Sequence, residues 1–126
     1  MAEFRFEKLQ VWGKAMAWVK AVYEATRGFP DSERHGLTSQ LRRAAVSVAS
    51  NIAEGYGRAT TGEYLQFLGH ARGASAEVET QLVITRELGF GDPAKLSDAE
   101  GACSETGKLL RLLMKSLCAQ TSPLVP

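Results

Sequence analysis

The stretch QLRRAAVSVASNIAEGYGR, residues 40–58, has the periodicity of a helix but an unusual composition. Two arginines lie near its start, small residues fill its middle, and Asn51 and Glu54 stand among apolar neighbours. Its apolar positions recur three and four residues apart, which places them on one face of a helix. Those positions are Leu41, Ala45, Val48 and Ile52. The stretch therefore predicts an amphipathic helix with a polar line beside its apolar one.

The residues before this stretch repeat the helical spacing and predict a first helix from Glu7 to Arg27. Gly28 fits its C-terminal cap, and Pro30 prevents its continuation. Thr38 is the predicted N-cap of the second helix. The apolar stripe of the first helix consists of Leu9, Trp12, Met16, Val19 and Tyr23, widened by Ala15 and Val22.

Two capping-box spacings, a Ser or Thr followed three residues later by Glu, predict two further helices. Thr60 and Glu63 mark the start of a third helix that runs to about Leu88, and Ser97 and Glu100 mark the start of a fourth. The apolar face of the third helix consists of Tyr64, Leu68, Ala71, Ser75, Val78 and Leu82. That of the fourth consists of Leu109, Leu110, Leu112, Leu113, Met114 and Leu117.

No segment alternates apolar and polar residues as a strand does. Four helices of ~20 residues with short connections predict an all-α fold, an antiparallel up-down-up-down four-helix bundle. At 126 residues the chain suits one domain, which we place at 1–119, followed by a flexible tail at 120–126.

Gly69 and Gly73 lie four residues apart inside the third helix. An interior glycine costs a helix about 1 kcal/mol relative to alanine, so two of them favour a close approach of helix backbones. Tolerated surface positions are the alternative, and substitution of Gly69 by leucine distinguishes the two.

Composition limits the classes of function. Fifteen basic residues balance fourteen acidic ones, whereas a dedicated nucleic-acid binder is usually more basic. The opening residues have no sustained apolar core, and no apolar run approaches the ~20 residues of a membrane span. Cys103 and Cys118 lie ~22 Å apart on one predicted helix, too far for a disulfide. These features predict a cytoplasmic protein with no membrane partner.

A polar stripe of helical spacing runs along the second helix, and it would be completed by Glu77 and Glu79 on the third helix or by groups of another subunit. The stripe consists of Arg43, Ser47, Asn51, Glu54 and Arg58. Two interpretations remain open. It is a partly buried hydrogen-bond network, within the chain or across subunits, or it is an ordinary solvated face.

Much of the chain up to about residue 90 follows a recognisable pattern. Before the stretch it includes Phe6, Leu9, Val11, Trp12, Phe29, Pro30, Glu33, Gly36 and Leu37. Within the stretch it includes Gln40, Leu41, Arg42, Arg43, Ala44, Ser47, Asn51, Ile52, Ala53, Glu54 and Gly55. After the stretch it includes Ala71, Gly73, Glu77, Glu79 and Leu82. In these positions the chain resembles the 23S rRNA intervening-sequence proteins.

The departures from that family are modest. Gly13 stands where many relatives have glutamine, Ala49 where many have proline, and Ala74 precedes Ser75 where relatives often have serine directly after the glycine. The resemblance implies a left-handed four-helix bundle that assembles as a homopentamer. A related bundle, the accessory protein of diversity-generating retroelements, engages nucleic acid and a reverse transcriptase, which implies a possible nucleic-acid partner here.

The usual catalytic and metal-binding constellations are missing from the sequence. Di-metal bundles use a Glu three residues before a His, but Ser32 precedes His35 and Phe67 precedes His70 at that spacing. No phosphate-binding loop and no nucleophile elbow occur. We therefore predict no enzymatic activity, no metal and no cofactor.

Two non-enzymatic functions remain. A protein-binding scaffold would use Trp18, Phe90 and the leucine-rich fourth helix as anchors, unless these belong to the core or to a self-assembly contact. A protein associated with RNA or DNA would instead present a basic surface repeated around an oligomer, unless these charges are simply dispersed. The candidate residues for that surface are Lys14, Lys20, Arg27, Arg34, Arg42, Arg58 and Arg72.

Overall fold

The computed structural model describes residues 6–121, which form four α-helices and two short 3-10 turns. Helix α1 spans Gln10–Thr26, α2 spans Leu37–Tyr56, α3 spans Thr61–Leu88 and α4 spans Pro93–Thr121. No strand occurs within residues 6–121, so the all-α prediction with four helices is confirmed. The predicted tail begins inside α4, and residues 122–126 lie outside the described part.

Each helix packs against two others in the cyclic order α1, α2, α3, α4. The diagonal pairs, α1 with α3 and α2 with α4, have no Cα atoms within 8 Å of each other in the described chain. The core therefore lies between four buried helix faces. Its largest fully buried apolar side chains are Trp18, Leu41, Ile52, Leu68 and Leu110.

Helix α1 is rotated relative to its predicted orientation. Its fully buried side is the line through Ala15, Trp18 and Val22, whereas Trp12 and Met16 are only half-buried on the side that faces α2. Trp18 is therefore a core residue and not the exposed anchor that the scaffold hypothesis assigned to it. The predicted apolar line of α2 is buried throughout.

The helix starts only partly follow the predicted caps. Thr60 is the N-cap of α3, and its Oγ1 accepts a hydrogen bond from the Glu63 amide at 3.1 Å, as predicted. The prediction of Thr38 as the N-cap of α2 is wrong. Helix α2 begins at Leu37, whose amide donates to Glu33 Oε1 at 3.0 Å.

The predicted capping box of α4 is also wrong. Helix α4 begins at Pro93, and Asp92 Oδ1 accepts from the Ala94 amide at 2.9 Å. Ser97 and Glu100 instead bind Arg86 of α3, whose guanidinium reaches Ser97 Oγ at 2.9 Å and the two Glu100 oxygens at 2.9 and 3.0 Å. The spacing of Ser97 and Glu100 therefore belongs to a contact between α3 and α4 and not to a helix cap.

The helix ends differ in their use of glycine. Helix α1 ends at Thr26 with a right-handed Arg27 as its C-cap, so the prediction of Gly28 in that role is wrong. Helix α3 ends with Gly89 in the left-handed region, at φ 72°, where a side chain would be strained.

The close approach of two helices occurs at Gly55 and not at the predicted glycines. A Cβ added at Gly69 or Gly73 would meet no atom within 4 Å, so neither glycine allows close packing within one chain. A Cβ at Gly55 would lie 2.9 Å from Phe67 Cβ and 3.2 Å from the Tyr64 carbonyl oxygen. Gly55 thus lets the end of α2 approach the start of α3.

Candidate functional site

The centre of the polar stripe is satisfied within its own helix. Asn51 is half-buried, and its Nδ2 donates to the Ser47 carbonyl oxygen at 2.8 Å and to Ser47 Oγ at 3.0 Å. Both contacts span one turn of α2. A partly buried asparagine is thereby paired without any contribution from a neighbouring helix.

The C-terminal end of the stripe is an exposed ion pair. Glu54 accepts from Arg58 Nη2 at 2.8 Å, and both side chains are largely exposed. The Arg58 guanidinium also lies over the Phe67 ring, 4.4 Å from its centroid. These contacts hold the turn after α2 against α3, although an exposed pair of this kind contributes little stability.

Arg43 and Glu77 occupy opposite sides of an open depression between α2 and α3. Both are exposed, and they form no ion pair with each other within the described residues. The same depression is lined by His35, Ser39, Gln40, Ala44 and Ser47. Among residues 6–121, the six predicted network residues therefore form two separate pairs and two unpaired charges.

A polar contact that the sequence analysis missed lies beside this depression. Gln81 is 6% exposed on α3, and its Nε2 donates weakly to Gln40 Oε1 at 3.4 Å. Its own Oε1 is buried without a hydrogen-bond partner in the described chain. The only signal in the sequence was a glutamine at a core-facing position of the third helix.

Four of the seven candidate nucleic-acid-binding residues have partners within the chain. Arg42 stacks over the Tyr23 ring at 4.4 Å and donates to Thr26 Oγ1 at 2.7 Å, which ties α2 to α1. Arg58 is paired as described above. Lys14 pairs with Glu105 at 3.4 Å, and Arg27 pairs with Glu24 at 2.9 Å.

The other three, Lys20, Arg34 and Arg72, form no ion pair or side-chain hydrogen bond in the described residues. Lys20 lies on α1, Arg34 follows the turn Asp31–Glu33, and Arg72 lies on α3. Because α1 and α3 are diagonal in the bundle, these charges do not form one basic surface on a single chain.

An apolar groove runs between α1 and α2 on the outside of the bundle. We call it the α1–α2 groove; it is lined by Phe6, Trp12, Met16, Val19, Val46, Ala49, Ser50 and Ala53. Trp12, Met16 and Val19 are half-buried, and Val46 is 41% exposed. Val46 also lines a second depression with Tyr23, Arg42 and Arg43, so the groove continues towards the basic end of α2.

The described residues bear on three further features: metal-ligand clusters, thiol reactivity and membrane-spanning helices. They contain no group of three His, Cys, Asp or Glu side chains placed to bind a metal. Burial, with smaller effects of Glu79 and Glu100, raises the pKa of the Cys103 thiol to about 11, which keeps it protonated at neutral pH. Within residues 6–121, no helix is both long and apolar enough to cross a membrane.

The family to which this architecture belongs follows from comparison with known proteins. The model of the family described as 23S rRNA-intervening sequence protein matches residues 7–115. The chain belongs to this family. The match covers all of α1, α2 and α3 and most of α4, and it confirms the resemblance found in the sequence.

This intervening-sequence family member is also similar to a solved structure. That structure is a protein with unknown function from the S23 ribosomal protein family of Bacteroides thetaiotaomicron VPI-5482, determined at 1.70 Å. The TM-score is 0.74 at 18% sequence identity, and the match covers 83% of this chain and 98% of that one. At this identity the likeness concerns the fold alone. No curated protein matches the chain.

Proposed function

We propose that this protein is a non-enzymatic scaffold that assembles with itself, as a homopentamer, through the α1–α2 groove. The number of subunits comes from the family resemblance. The proposed subunit is an up-down-up-down, left-handed bundle. Its function is to present a repeated surface around a closed ring.

The observation that carries this proposal is the groove itself. Trp12, Met16 and Val19 lie on the outer flank of α1 instead of its core side, next to the exposed Val46. The short side chains of Ala49 and Ala53 line the groove, and they leave room for another helix to approach. An apolar groove flanked by exposed and half-buried apolar side chains is a candidate interaction site.

The polar stripe supports the same proposal from the adjoining side of α2. Arg43 and Glu77 are exposed charges that form no ion pair with any described residue, beside the half-buried pair Ser47 and Asn51. Charged groups around an apolar centre are typical of a subunit interface, where they fix orientation.

The test of this proposal is a charge placed in the groove. Val46→Glu should dissociate the assembly, because a carboxylate buried at an interface without a partner is costly. Leu112→Glu on α4 is the matched control, since Leu112 is also an exposed apolar residue, at 56%. Light scattering measures the mass of each variant, and circular dichroism checks its fold. If Val46→Glu assembles like the original chain, the groove is not the interface.

A second candidate function is association with RNA or DNA. Lys20, Arg34 and Arg72 are exposed and form no ion pair in the described part of the chain, and a ring would repeat them around its circumference. Binding through such residues weakens steeply as salt rises. Titration with structured RNA and duplex DNA at low salt tests it. Alanine at these three positions should abolish binding, whereas Lys14→Ala should not, and no binding by the original chain ends this candidate.

A further inference from the structure

A second exposed apolar surface lies at the C-terminal end of α3. Val83, Ile84 and Leu88 are 56%, 41% and 56% exposed, although α3 packs on α2 and α4 with its other side. Ile84 and Leu88 are one turn apart and share a face of the helix. We call these residues the α3 strip. None of them contributes to the core.

The charge next to the α3 strip is acidic. Glu87 lies within the strip's stretch of sequence, and the neighbouring Arg86 is bound to Glu100 of α4. Glu87 is one turn from Val83 and three residues from Ile84, and Glu77 is two turns before Ile84. No carboxylate of α3 forms an ion pair within the described residues.

Two cations lie where the α1–α2 groove opens. Arg42 and Arg43 line, with Tyr23 and Val46, the depression into which the groove continues, whereas the lining of the groove itself is uncharged. The side chain of Arg43 forms no ion pair or hydrogen bond in the described chain. An apolar strip beside Glu87 and an apolar groove that opens beside Arg42 and Arg43 are therefore complementary.

We infer that the α3 strip of one copy docks into the α1–α2 groove of a second copy. This inference rests on the proposed self-assembly and assigns the two faces that meet. A contact between the grooves of two copies would bring their Arg43 side chains together. A contact between the strips of two copies would bring their Glu87 side chains together. Like charges across an interface are unfavourable, so the pairing of unlike faces is preferred.

This pairing also sets the symmetry of the assembly. The groove involves α1 and α2, and the strip lies on α3, which is diagonal to α1. The two faces therefore point in different directions on each copy. A contact between two different faces is heterologous, and repeating it generates a ring when the rotation closes.

Cross-linking between two tagged chains tests the pairing. Both chains carry Cys103→Ala and Cys118→Ser; one then carries Val46→Cys in the groove, and the other carries Ile84→Cys in the strip. They are co-expressed, purified through both tags and treated with a short bis-maleimide. We expect at least a several-fold higher yield of the mixed dimer than from the control pair, in which Leu112→Cys replaces Ile84→Cys.

Light scattering on the same samples separates the possible failures. An assembled protein whose mixed dimer does not exceed the control overturns the pairing but leaves self-assembly standing. Efficient cross-linking of the chain with Val46→Cys to itself also overturns it, because it indicates a groove-to-groove contact. A monomer overturns both the pairing and the proposed scaffold function.

Discussion

At Gly55, the end of α2 passes so close to α3 that a methyl group has no room. The nearest atoms to an added Cβ are Phe67 Cβ at 2.9 Å and Tyr64 Cδ1 at 3.0 Å. Because the Phe67 atom is adjacent to the backbone, it cannot move aside without shifting α3. We predict that Gly55→Ala lowers the free energy of unfolding by about 1–3 kcal/mol, despite the better helix propensity of alanine, as measured by urea denaturation.

The control for this prediction is Gly101→Ala. Gly101 lies inside α4, is exposed, and has no atom within 4 Å of an added Cβ. This change should raise the free energy of unfolding by up to about 1 kcal/mol through helix propensity alone. Equal effects of the two substitutions would contradict the close approach at Gly55.

The thiol of Cys103 should make the free energy of unfolding depend on pH in the alkaline range. Burial, followed by the negative charges of Glu79 and Glu100, raises its pKa from 9.0 to about 11. Well below about pH 9 the thiol is protonated in both the folded and the unfolded chain, so its contribution to the free energy of unfolding is fully present. As pH rises towards 11, the unfolded chain releases a proton that the folded chain retains, and the free energy of unfolding falls by up to about 1.4 kcal/mol per pH unit.

Urea denaturation between about pH 8 and pH 10.5 measures this effect. The original chain and Cys118→Ala should lose stability with the same slope, whereas Cys103→Ala should lose less per pH unit. Parallel slopes for all three proteins would show that the Cys103 thiol titrates at the same pH in both states.

Among the elements, α3 and α4 show what a capping-box spacing in the sequence can and cannot establish. Both Thr60–Glu63 and Ser97–Glu100 have the same spacing, yet only Thr60 caps a helix. In α4, Asp92 provides the cap, and Pro93 is suited to the first helical position because its missing N–H needs no acceptor there. The Ser97–Glu100 pair instead binds Arg86 of α3, a contact between helices that local sequence spacing does not reveal.

This difference between the two spacings is testable by removing each hydroxyl. Thr60→Ala should lower the free energy of unfolding by about 1 kcal/mol, because the Glu63 amide loses its acceptor, and Thr60→Ser should restore most of the loss. Ser97→Ala removes one of several acceptors of Arg86 and should have a smaller effect. Thermal denaturation monitored at 222 nm by circular dichroism ranks the three variants, and a larger loss for Ser97→Ala would contradict the assigned caps.

At the scale of the whole molecule, the sequence predicted the four helices and the apolar line of α2 but not the orientation of α1. Helix α1 has apolar residues on two adjacent stripes, one through Trp18 and one through Trp12 and Met16. Helical periodicity does not determine which stripe faces the centre; the packing of all four helices determines it. The α1–α2 groove was therefore not predictable from periodicity, because Trp12, Met16 and Val19 in its lining were assigned to the core stripe of α1.

The polar stripe was predictable as a set of positions but not as a set of contacts. Its spacing located Ser47, Asn51 and Glu54 on one side of α2 and Arg58 just beyond its end, and two i, i+4 pairs do form among them. The depth of burial depends on how closely α3 approaches. Within one chain this approach leaves Arg43 and Glu77 exposed, so a cross-subunit role for them stays a prediction.

The solution mass of the full chain tests whether the outer faces of this bundle join identical copies. Multi-angle light scattering behind size exclusion, over a dilution series down to micromolar concentration, measures it. We expect one species with the mass of a pentamer of 13.7-kDa chains. A mass of 13.7 kDa at every concentration would contradict it.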